Sequence, residues 1–407
     1  MGRTTRQRAV TVPRGFRGAG TTCGIKPSGQ PDLALIVSDR PCSAAGVFTR
    51  NKVPGAAVVL SRRHLRAPAA RAIVCNSGIS NVGTGGRGLG DARHMAEQTA
   101  EFLGCSPREI LVASTGIIGT FLPMDKIGRG IATAVSKLGR GPAADAQAAR
   151  AILTTDLKTK MATRKLRIGT RMVTIGGMAK GSGMIAPNMA TMLAFITTDA
   201  AIATDTLRRA LRSAADTTFN RISIDADTST SDSVFVLANG AAGNNTIGAR
   251  GAAFGRFEQA LRDLCHDLAT QLVRDGEGAT KIFHVIVNRA ASDRDAERLG
   301  RTVVESPLVK TAVHGGDPNW GRLIMAAGRS GAAIDPKRLS AHIGNICVFR
   351  RGEAVQIDRP TRRRLERYMR RKEITFTVDA GLGRSTTEWS GCDLSRQYVT
   401  INADYTT

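Results

Sequence analysis

The chain has 407 residues, of which 42% are hydrophobic, and its mean hydropathy is −0.12, so it has room for two or three domains or one large α/β unit. No run approaches the roughly 18 apolar residues of a membrane helix, and the basic segment 1–15 lacks the apolar core of a secretory signal. We therefore expect a globular, cytoplasmic protein with no membrane partner.

The net charge of +24 comes from 58 Lys and Arg against 34 Asp and Glu, which raises the question of a nucleic-acid partner. The excess is spread along the chain, and aromatic residues make up 4%, too few for an obvious base-stacking platform. The one dense basic cluster, 359–372, is typical of a solvated helix face. The pattern favours no nucleic acid, and a basic nucleotide- or nucleic-acid-binding protein is kept as an alternative.

The seven cysteines are widely spaced without a CxxC pair, and the six histidines show no zinc-type spacing. Most of the cysteines, such as Cys75 and Cys347, lie in apolar surroundings, which is typical of small core thiols. We expect neither a disulfide framework nor a metal cofactor.

In chain order, short apolar runs between turn residues predict the strands of one N-terminal sheet. These runs are 32–37, 45–49, 56–60 and 72–75. The glycine-rich loop 83–90 follows, and Asp91 is predicted to cap a helix that ends near Phe102.

The same loop contains a GxGxxG match at Gly83, Gly85 and Gly88, which raises the alternative of a dinucleotide site. The segment 77–90 is too long for the tight turn of a Rossmann fold. The next predicted strand, 110–115, ends without the acidic residue that would hold a ribose. The pattern therefore argues against a Rossmann domain.

Thr115 and Gly116 stand at the end of that strand. A threonine hydroxyl beside a glycine amide suits the binding of a developing oxyanion, because glycine lets an oxygen approach the backbone closely. A plain turn at the end of a strand is the alternative.

Further along, apolar spacing predicts helices and strands in both halves of the chain. The predicted helices are 125–138, 143–153, 207–219 and 257–273, and the predicted strands are 165–168, 172–176, 222–224, 234–237 and 282–287. The segment Asp317–Gly321 is predicted to be a turn that opens an apolar helix.

The stretch from Lys180 to Ala200 changes character at the bond between Ala190 and Thr191. A Gly/Pro/Asn-rich loop precedes this bond, and a buried strand is predicted from Thr191 to Thr197. If the bond is cut, Thr191 gains a free α-amine that can act as the base for its own hydroxyl. An N-terminal nucleophile is therefore one interpretation, and a loop that simply enters a strand is the other.

Glu277 lies between two glycines just before the predicted strand 282–287. The flanking glycines leave its carboxylate accessible, which suits a cationic ligand. A solvated loop glutamate is the alternative.

Several segments, in this order, resemble the ornithine acetyltransferase (glutamate N-acetyltransferase) family. They are GFRGAGTTCGIK (15–26), VFTRN (47–51), ASTGIIG (113–119), KGSGMIAPNMATMLAFITTDA (180–200), DGEGATK (275–281), DPNWGR (317–322) and INADYTT (401–407). The resemblance extends from about Val12 to the last residue.

The resemblance implies an acyltransferase of arginine biosynthesis, a multifunctional enzyme in many members, with an α/β fold of layered sheets and helices. Autocatalytic cleavage between Ala190 and Thr191 would give an α chain, 1–190, and a β chain, 191–407, which associate as an α2β2 heterotetramer. Thr191 would accept the acetyl group of N-acetylornithine, and glutamate would then take it. No cofactor is implied, although acetyl-CoA is a possible co-substrate.

The resemblance also assigns site residues. Thr115 and Gly116 match the oxyanion hole, and six residues match substrate-binding positions: Thr154, Lys180, Thr191, Glu277, Asn402 and Thr407. We expect Lys180 to pair with a substrate α-carboxylate and Glu277 to receive an ammonium group.

Departures from the family pattern leave the substrate range open. Ile79 and Ser80 replace the usual residues of an Asn-rich loop, Ser231 stands where Asn is common, and His314–Gly316 precedes DPNWGR. A self-cleaving amidohydrolase or aminopeptidase of similar architecture, in which water replaces glutamate, is the alternative enzyme.

Overall fold

The computed structural model describes residues 9–67, 69–186 and 192–404. These residues form two compact units. The N-terminal unit comprises residues up to Asn220 together with Asp227–Leu272, and the C-terminal unit comprises Arg221–Ala226 and the residues from Val273 onward.

Helices and strands alternate along the described chain. The strands are β1 (Phe16–Thr21), β2 (Leu33–Phe48), β3 (Ala70–Ile79), β4 (Ile110–Ile117), β5 (Lys160–Ile168), β6 (Arg171–Lys180), β7 (Leu193–Thr198), β8 (Ile222–Ser223), β9 (Ser233–Ala238), β10 (Ile282–Ala290), β11 (Ser340–Ile343), β12 (Ile346–Arg350), β13 (Glu353–Ala354), β14 (Glu373–Asp379) and β15 (Ser385–Cys392). The helices are α1 (Ala56–His64), α2 (Gly85–Leu103), α3 (Met124–Ser136), α4 (Pro142–Ala151), α5 (Thr204–Thr217), α6 (Ala252–Arg274), α7 (Asp293–Val304), α8 (Pro307–Gly315), α9 (Trp320–Gly328), α10 (Arg359–Met369) and α11 (Arg396–Asp404).

The N-terminal unit is built on a sheet with the strand order β4-β3-β2-β9-β7-β6-β5, and β1 also pairs with β2. Alternating residues of β2, β3 and β4 enter two cores on opposite faces. Ile36, Ile73 and Leu111 pack with α4 on one face, whereas Leu35 and Val74 pack with α1, α2 and α3 on the other. The predicted layered α/β fold is confirmed, and the sheet is buried between two layers.

Three of the predicted N-terminal strands were wrong in their limits or type. The runs 32–37 and 45–49 belong to one long strand, β2, and 56–60 is the start of helix α1. An apolar run of five residues does not distinguish a buried strand from a helix. Here Ala57 and Ser61, one helical turn apart, are both buried, so burial of one helical face decided the outcome.

The predicted cap at Asp91 was also wrong, because α2 already begins at Gly85. The glycine-rich run is the first part of this helix, and Gly88 is needed for packing: a Cβ atom there would lie 1.9 Å from Thr84 Oγ1 and 2.4 Å from Asn81 Oδ1. The GxGxxG match therefore reflects a tight helix start.

The C-terminal unit is built on a second sheet with the strand order β13-β12-β11-β14-β10-β15-β8. Phe283 and Val285 of β10 and Phe376 of β14 face a core that is covered by α7, α8, α9 and α10. The alternate residues, such as Ile286 and Thr377, face away from this core and are partly exposed. None of the helices in the described ranges is both long and apolar enough to cross a membrane.

Replacement of Phe235 by alanine should destabilise the N-terminal unit. Phe235 of β9 is fully buried, and its ring centroid lies 5.7 Å from that of Phe48 and 5.8 Å from that of Phe195. The cavity left by the missing phenylalanine ring should lower the free energy of unfolding by about 3–5 kcal/mol. Urea unfolding followed by circular dichroism measures this change. The control Val53→Ala, at a 60% exposed position, should change the free energy of unfolding by less than about 0.5 kcal/mol. An equal loss of stability in the two variants would contradict the assignment of this core.

Candidate active site

Thr115 and Gly116 lie at the end of β4, beside the end of the parallel strand β3. Gly116 has φ +127°, and a Cβ atom there would lie 2.2 Å from the carbonyl carbon of Gly78. A glycine is therefore required at this position on both conformational and steric grounds.

A buried polar network fixes the neighbouring turn after β3. Asn76 Nδ2 donates to the carbonyl of Ile79 at 2.8 Å, and Ser114 Oγ donates to Asn76 Oδ1 at 2.6 Å. Ser80 Oγ donates to the carbonyl of Ile117 at 2.8 Å. Two of the residues that depart from the family pattern thus take part in this network: Ser80 binds the turn to the end of β4, and Ile79 binds Asn76 through its carbonyl group.

Three of the predicted site residues meet at the end of β6. Lys180 is 8% exposed, and its Nζ donates to Thr154 Oγ1 at 2.7 Å and to Thr115 Oγ1 at 3.4 Å. The ammonium group of Lys180 is therefore held between two threonine hydroxyls, next to the end of β4 where Gly116 lies.

Asp156, which the sequence did not indicate, provides a carboxylate that is central to this cluster. Its side chain is fully buried; Oδ1 lies 2.5 Å from Lys160 Nζ, and Oδ2 lies 3.9 Å from Lys180 Nζ. The backbone N–H groups of Gly181 and Thr154 donate to it at 2.6 and 3.1 Å. Burial alone would raise the pKa of Asp156, but the charges of Lys180 and Lys160 and these hydrogen bonds lower it to about 2.

A second missed residue, Lys26, is electrostatically coupled to the cluster. Buried Asp32 accepts from four consecutive backbone N–H groups, those of residues 23–26, and so fixes their loop. Burial lowers the pKa of Lys26; Asp32 opposes this shift, and the positive charge of Lys180 adds to it. Lys26 and Lys180 are therefore near enough to repel each other, so the loop of residues 23–26 brings a second amino group toward the site.

Ala190 and Thr191 lie outside the described residues. The strand predicted to start at Thr191 is observed as β7 from Leu193 onward, and Leu193 pairs with Lys180 in the antiparallel ladder of β6 and β7. Lys180 therefore pairs with Leu193, which is two positions after Thr191.

Glu277 and Asn402 meet in the C-terminal unit. Asn402 Nδ2, on α11, donates to Glu277 Oε2 at 2.8 Å and to the carbonyl of Tyr398 at 3.0 Å. Glu277 is 8% exposed, so the carboxylate that was predicted to be accessible is largely covered. The last predicted residue, Thr407, lies outside the described residues.

The segment before α11 is fastened to the loop that carries Glu277. Ser395 Oγ donates to the carbonyl of Gly278 at 2.7 Å. The carboxylate of Asp393 accepts from the N–H groups of Thr280 and Lys281 at 2.7 and 2.8 Å. These contacts hold Asn402 in reach of Glu277.

Across the described residues, no group of three or more His, Cys, Asp or Glu side chains is arranged to hold a metal ion. All seven cysteines are free thiols. The groups that the cluster around Lys180 can present to a ligand are hydroxyls, a backbone amide and a fixed positive charge.

Comparison with known proteins gives a consistent result. The ArgJ family model matches residues 17–407. The arginine biosynthesis bifunctional protein ArgJ of Symbiobacterium thermophilum is 48% identical over 98% of both chains, and that of Synechocystis sp. is 45% identical over 98% of both. The crystal structure of ArgJ from Bacillus halodurans is 41% identical with a TM-score of 0.51, and covers 53% of this chain and 100% of its own.

Replacement of Asp156 by asparagine should destabilise the protein in a pH-dependent manner. At neutral pH the loss of a buried ion-pair partner should cost about 3–5 kcal/mol. Because the folded pKa of about 2 lies below the ordinary value of 3.8, the carboxylate stabilises the fold above pH 3.8 and this contribution disappears as the pH falls through 2. The difference between variant and wild type should therefore narrow by about 2 kcal/mol on acidification.

Urea unfolding at several pH values measures this difference. Asp39→Asn is the matched control, because Asp39 forms surface ion pairs with Arg17 and Arg140, which should contribute less than about 1 kcal/mol. A difference that stays constant down to pH 2 would contradict the assigned role of Asp156.

Proposed function

The chain belongs to the ArgJ family, and we propose that it transfers the acetyl group of N-acetylornithine to glutamate, releasing ornithine and forming N-acetylglutamate in arginine biosynthesis. The observation that carries this proposal is the placement of Lys180 between the hydroxyls of Thr115 and Thr154, beside a strand end where glycine is required. Family membership makes the enzyme an acyltransferase.

The proposed reaction begins with self-cleavage between Ala190 and Thr191. The Thr191 hydroxyl then attacks the acetyl carbonyl, with its own α-amine as base, and ornithine leaves. Glutamate attacks the acetyl-Thr191 intermediate in the second half-reaction. Both steps pass through a tetrahedral oxyanion, for which Thr115 Oγ1 and the N–H of Gly116 are the proposed donors; one such donor typically contributes about 3–4 kcal/mol.

N-acetylornithine and glutamate each carry an α-carboxylate, which is the proposed ligand of Lys180. The buried Asp156 holds its Oδ2 3.9 Å from Lys180 Nζ, and the charge of Lys26 lies nearby. We assign Thr154 to the same carboxylate, because its hydroxyl accepts from Lys180. Glu277, oriented by Asn402, is the proposed partner of a substrate ammonium group, and Thr407 is retained as a substrate-binding residue on the resemblance alone.

Cleavage at this bond would divide the N-terminal sheet between two chains, 1–190 and 191–407. The β6–β7 and β2–β9 ladders would then join the fragments without a covalent link. The solved relative supports this division: its whole chain covers 53% of this one, the share that residues 191–407 make up. An α2β2 assembly and a cytoplasmic location remain predictions.

The purified protein should run as two fragments on a denaturing gel, and intact mass should place their boundary at Ala190 and Thr191. Thr191→Ala should remain one chain and lose acetyl transfer, because it has neither nucleophile nor cleavage. Thr197→Ala, within β7, is a control that should still be cleaved. An intact wild-type chain that transfers acetyl groups would contradict the N-terminal nucleophile.

The acceptor distinguishes the transferase from an amidohydrolase. With N-acetylornithine as donor, ornithine release should depend on glutamate and yield N-acetylglutamate. Ornithine release that is equally fast without glutamate, with acetate as product, would favour hydrolysis.

Lys180→Met should raise the KM for N-acetylornithine at least about tenfold, since a charge-assisted hydrogen bond is lost. Replacing the donor by acetyl-CoA tests whether the enzyme is bifunctional.

A further inference from the structure

The basic cluster of the sequence lines a cavity that acetyl transfer does not use. Arg364 and Arg367 of α10, and Arg371 just after this helix, form one side of a cavity of about 670 Å³ in the C-terminal unit. Tyr368 lies among them. We call this space the arginine cavity.

The other wall of the arginine cavity is the face of the second sheet that points away from the core. Ile286 of β10 and Thr375 and Thr377 of β14 alternate with buried core residues, so they project into the cavity. The turn Gly344–Asn345 and Ile346 close it at the edge. Apolar and hydroxyl groups thus face the guanidinium groups.

The residues that line the arginine cavity carry positive charge only. Among the described residues, no acidic side chain lines it, and no hydrogen bond or ion pair is formed there by Arg364 or Arg367. Asp358, at the start of α10 and outside the cavity, is the acidic residue near Arg364: hydrogen bonds with Thr361 and, to a smaller extent, the charge of Arg364 lower its pKa. Arg371 lies 5.1 Å from the ring centroid of Tyr368. By contrast, Arg362, on the same helix but outside the cavity, pairs with Glu366 at 3.4 Å.

Polar groups on the sheet side are also available. The side chains of Thr375, Thr377 and Asn345 form no hydrogen bond with another described residue. A second basic cavity, between α1 and α2, has Arg63 among its lining residues but also Glu97 and Glu109. The arginine cavity therefore differs in having positive charge without negative charge.

We propose that the arginine cavity binds a nucleoside diphosphate group. Guanidinium groups bind phosphate oxygens in bidentate geometry, and threonine hydroxyls add donors. The volume lies in the range of small-molecule sites, and Ile286, Ile346 and the Tyr368 ring provide an apolar surface for a base. The group comes from a free nucleotide or from the nucleotide end of coenzyme A. This site is independent of the proposed acetyl transfer from N-acetylornithine.

Isothermal titration of the full-length protein with ADP tests the proposal. The double variant Arg364→Gln/Arg367→Gln should weaken ADP binding at least about tenfold, because charged hydrogen bonds are lost. The control Arg359→Gln/Arg363→Gln removes two charges from the same helix outside the cavity and should change affinity less than about twofold. Adenosine, which lacks phosphate, should not bind measurably.

Competition identifies the source of the group. Displacement of ADP by coenzyme A assigns the nucleotide end of that molecule, and ADP binding without such displacement assigns a free nucleotide; either result supports the site. Transfer from N-acetylornithine to glutamate should be unchanged in both double variants, because neither substrate carries phosphate.

The proposal is overturned if the wild type does not bind ADP, if the control loses as much affinity as the cavity variant, or if a single-stranded oligonucleotide displaces ADP at equal concentration. Circular dichroism checks that the variants fold.

Thr377→Val, which keeps the side-chain shape, should weaken ADP binding about threefold through loss of one hydroxyl. Unchanged ADP affinity in that variant also counts against the site.

Discussion

The buried carboxylate of Asp156 joins the segment 154–160 to the end of β6. It contacts Lys160 at the start of β5, Lys180 at the end of β6, and the backbone N–H of Thr154 after α4. A buried ion pair often adds little net stability, because desolvation of both charges offsets their attraction. Its effect here is positional: with Asp156 ionised, Lys180 Nζ is held at the hydroxyls of Thr115 and Thr154.

That positioning depends on a sheet that the proposed cleavage would leave intact. Lys180 is the last residue of β6, and its partner Leu193 is the first of β7, so the segment that contains the proposed cut connects the two residues at which the ladder begins. All six residues of β7 are buried. Water has little access to these strands, and backbone groups that lost their partners there would remain unsatisfied. Leu193, two residues after the proposed new chain end, would therefore stay paired with Lys180.

The sequence predicted most elements whose residue types are unambiguous. The β-branched runs at 72–75 and 282–287 are strands, and 257–273 lies within helix α6. Local composition does not determine tertiary contacts, so the meeting of Thr115 and Lys180, which are 65 residues apart, depended on the resemblance. Asp156 was missed because its two lysine partners are brought together by strand pairing, which local spacing does not encode.

The positively charged residues are spread too widely along the sequence to indicate a binding partner. Whether each charged side chain has an oppositely charged neighbour in the structure is more informative than the number of charges. An exposed arginine with a nearby carboxylate, such as Arg362 with Glu366, is locally neutralised. Arg364 and Arg367 share one cavity with Arg371 and have no acidic residue lining it within the described chain. Like charges brought together in a partly enclosed space repel one another, and an anion that enters would relieve this repulsion. The phosphate preference of the arginine cavity follows from this local imbalance, whereas a net charge of +24 alone would not locate a binding site.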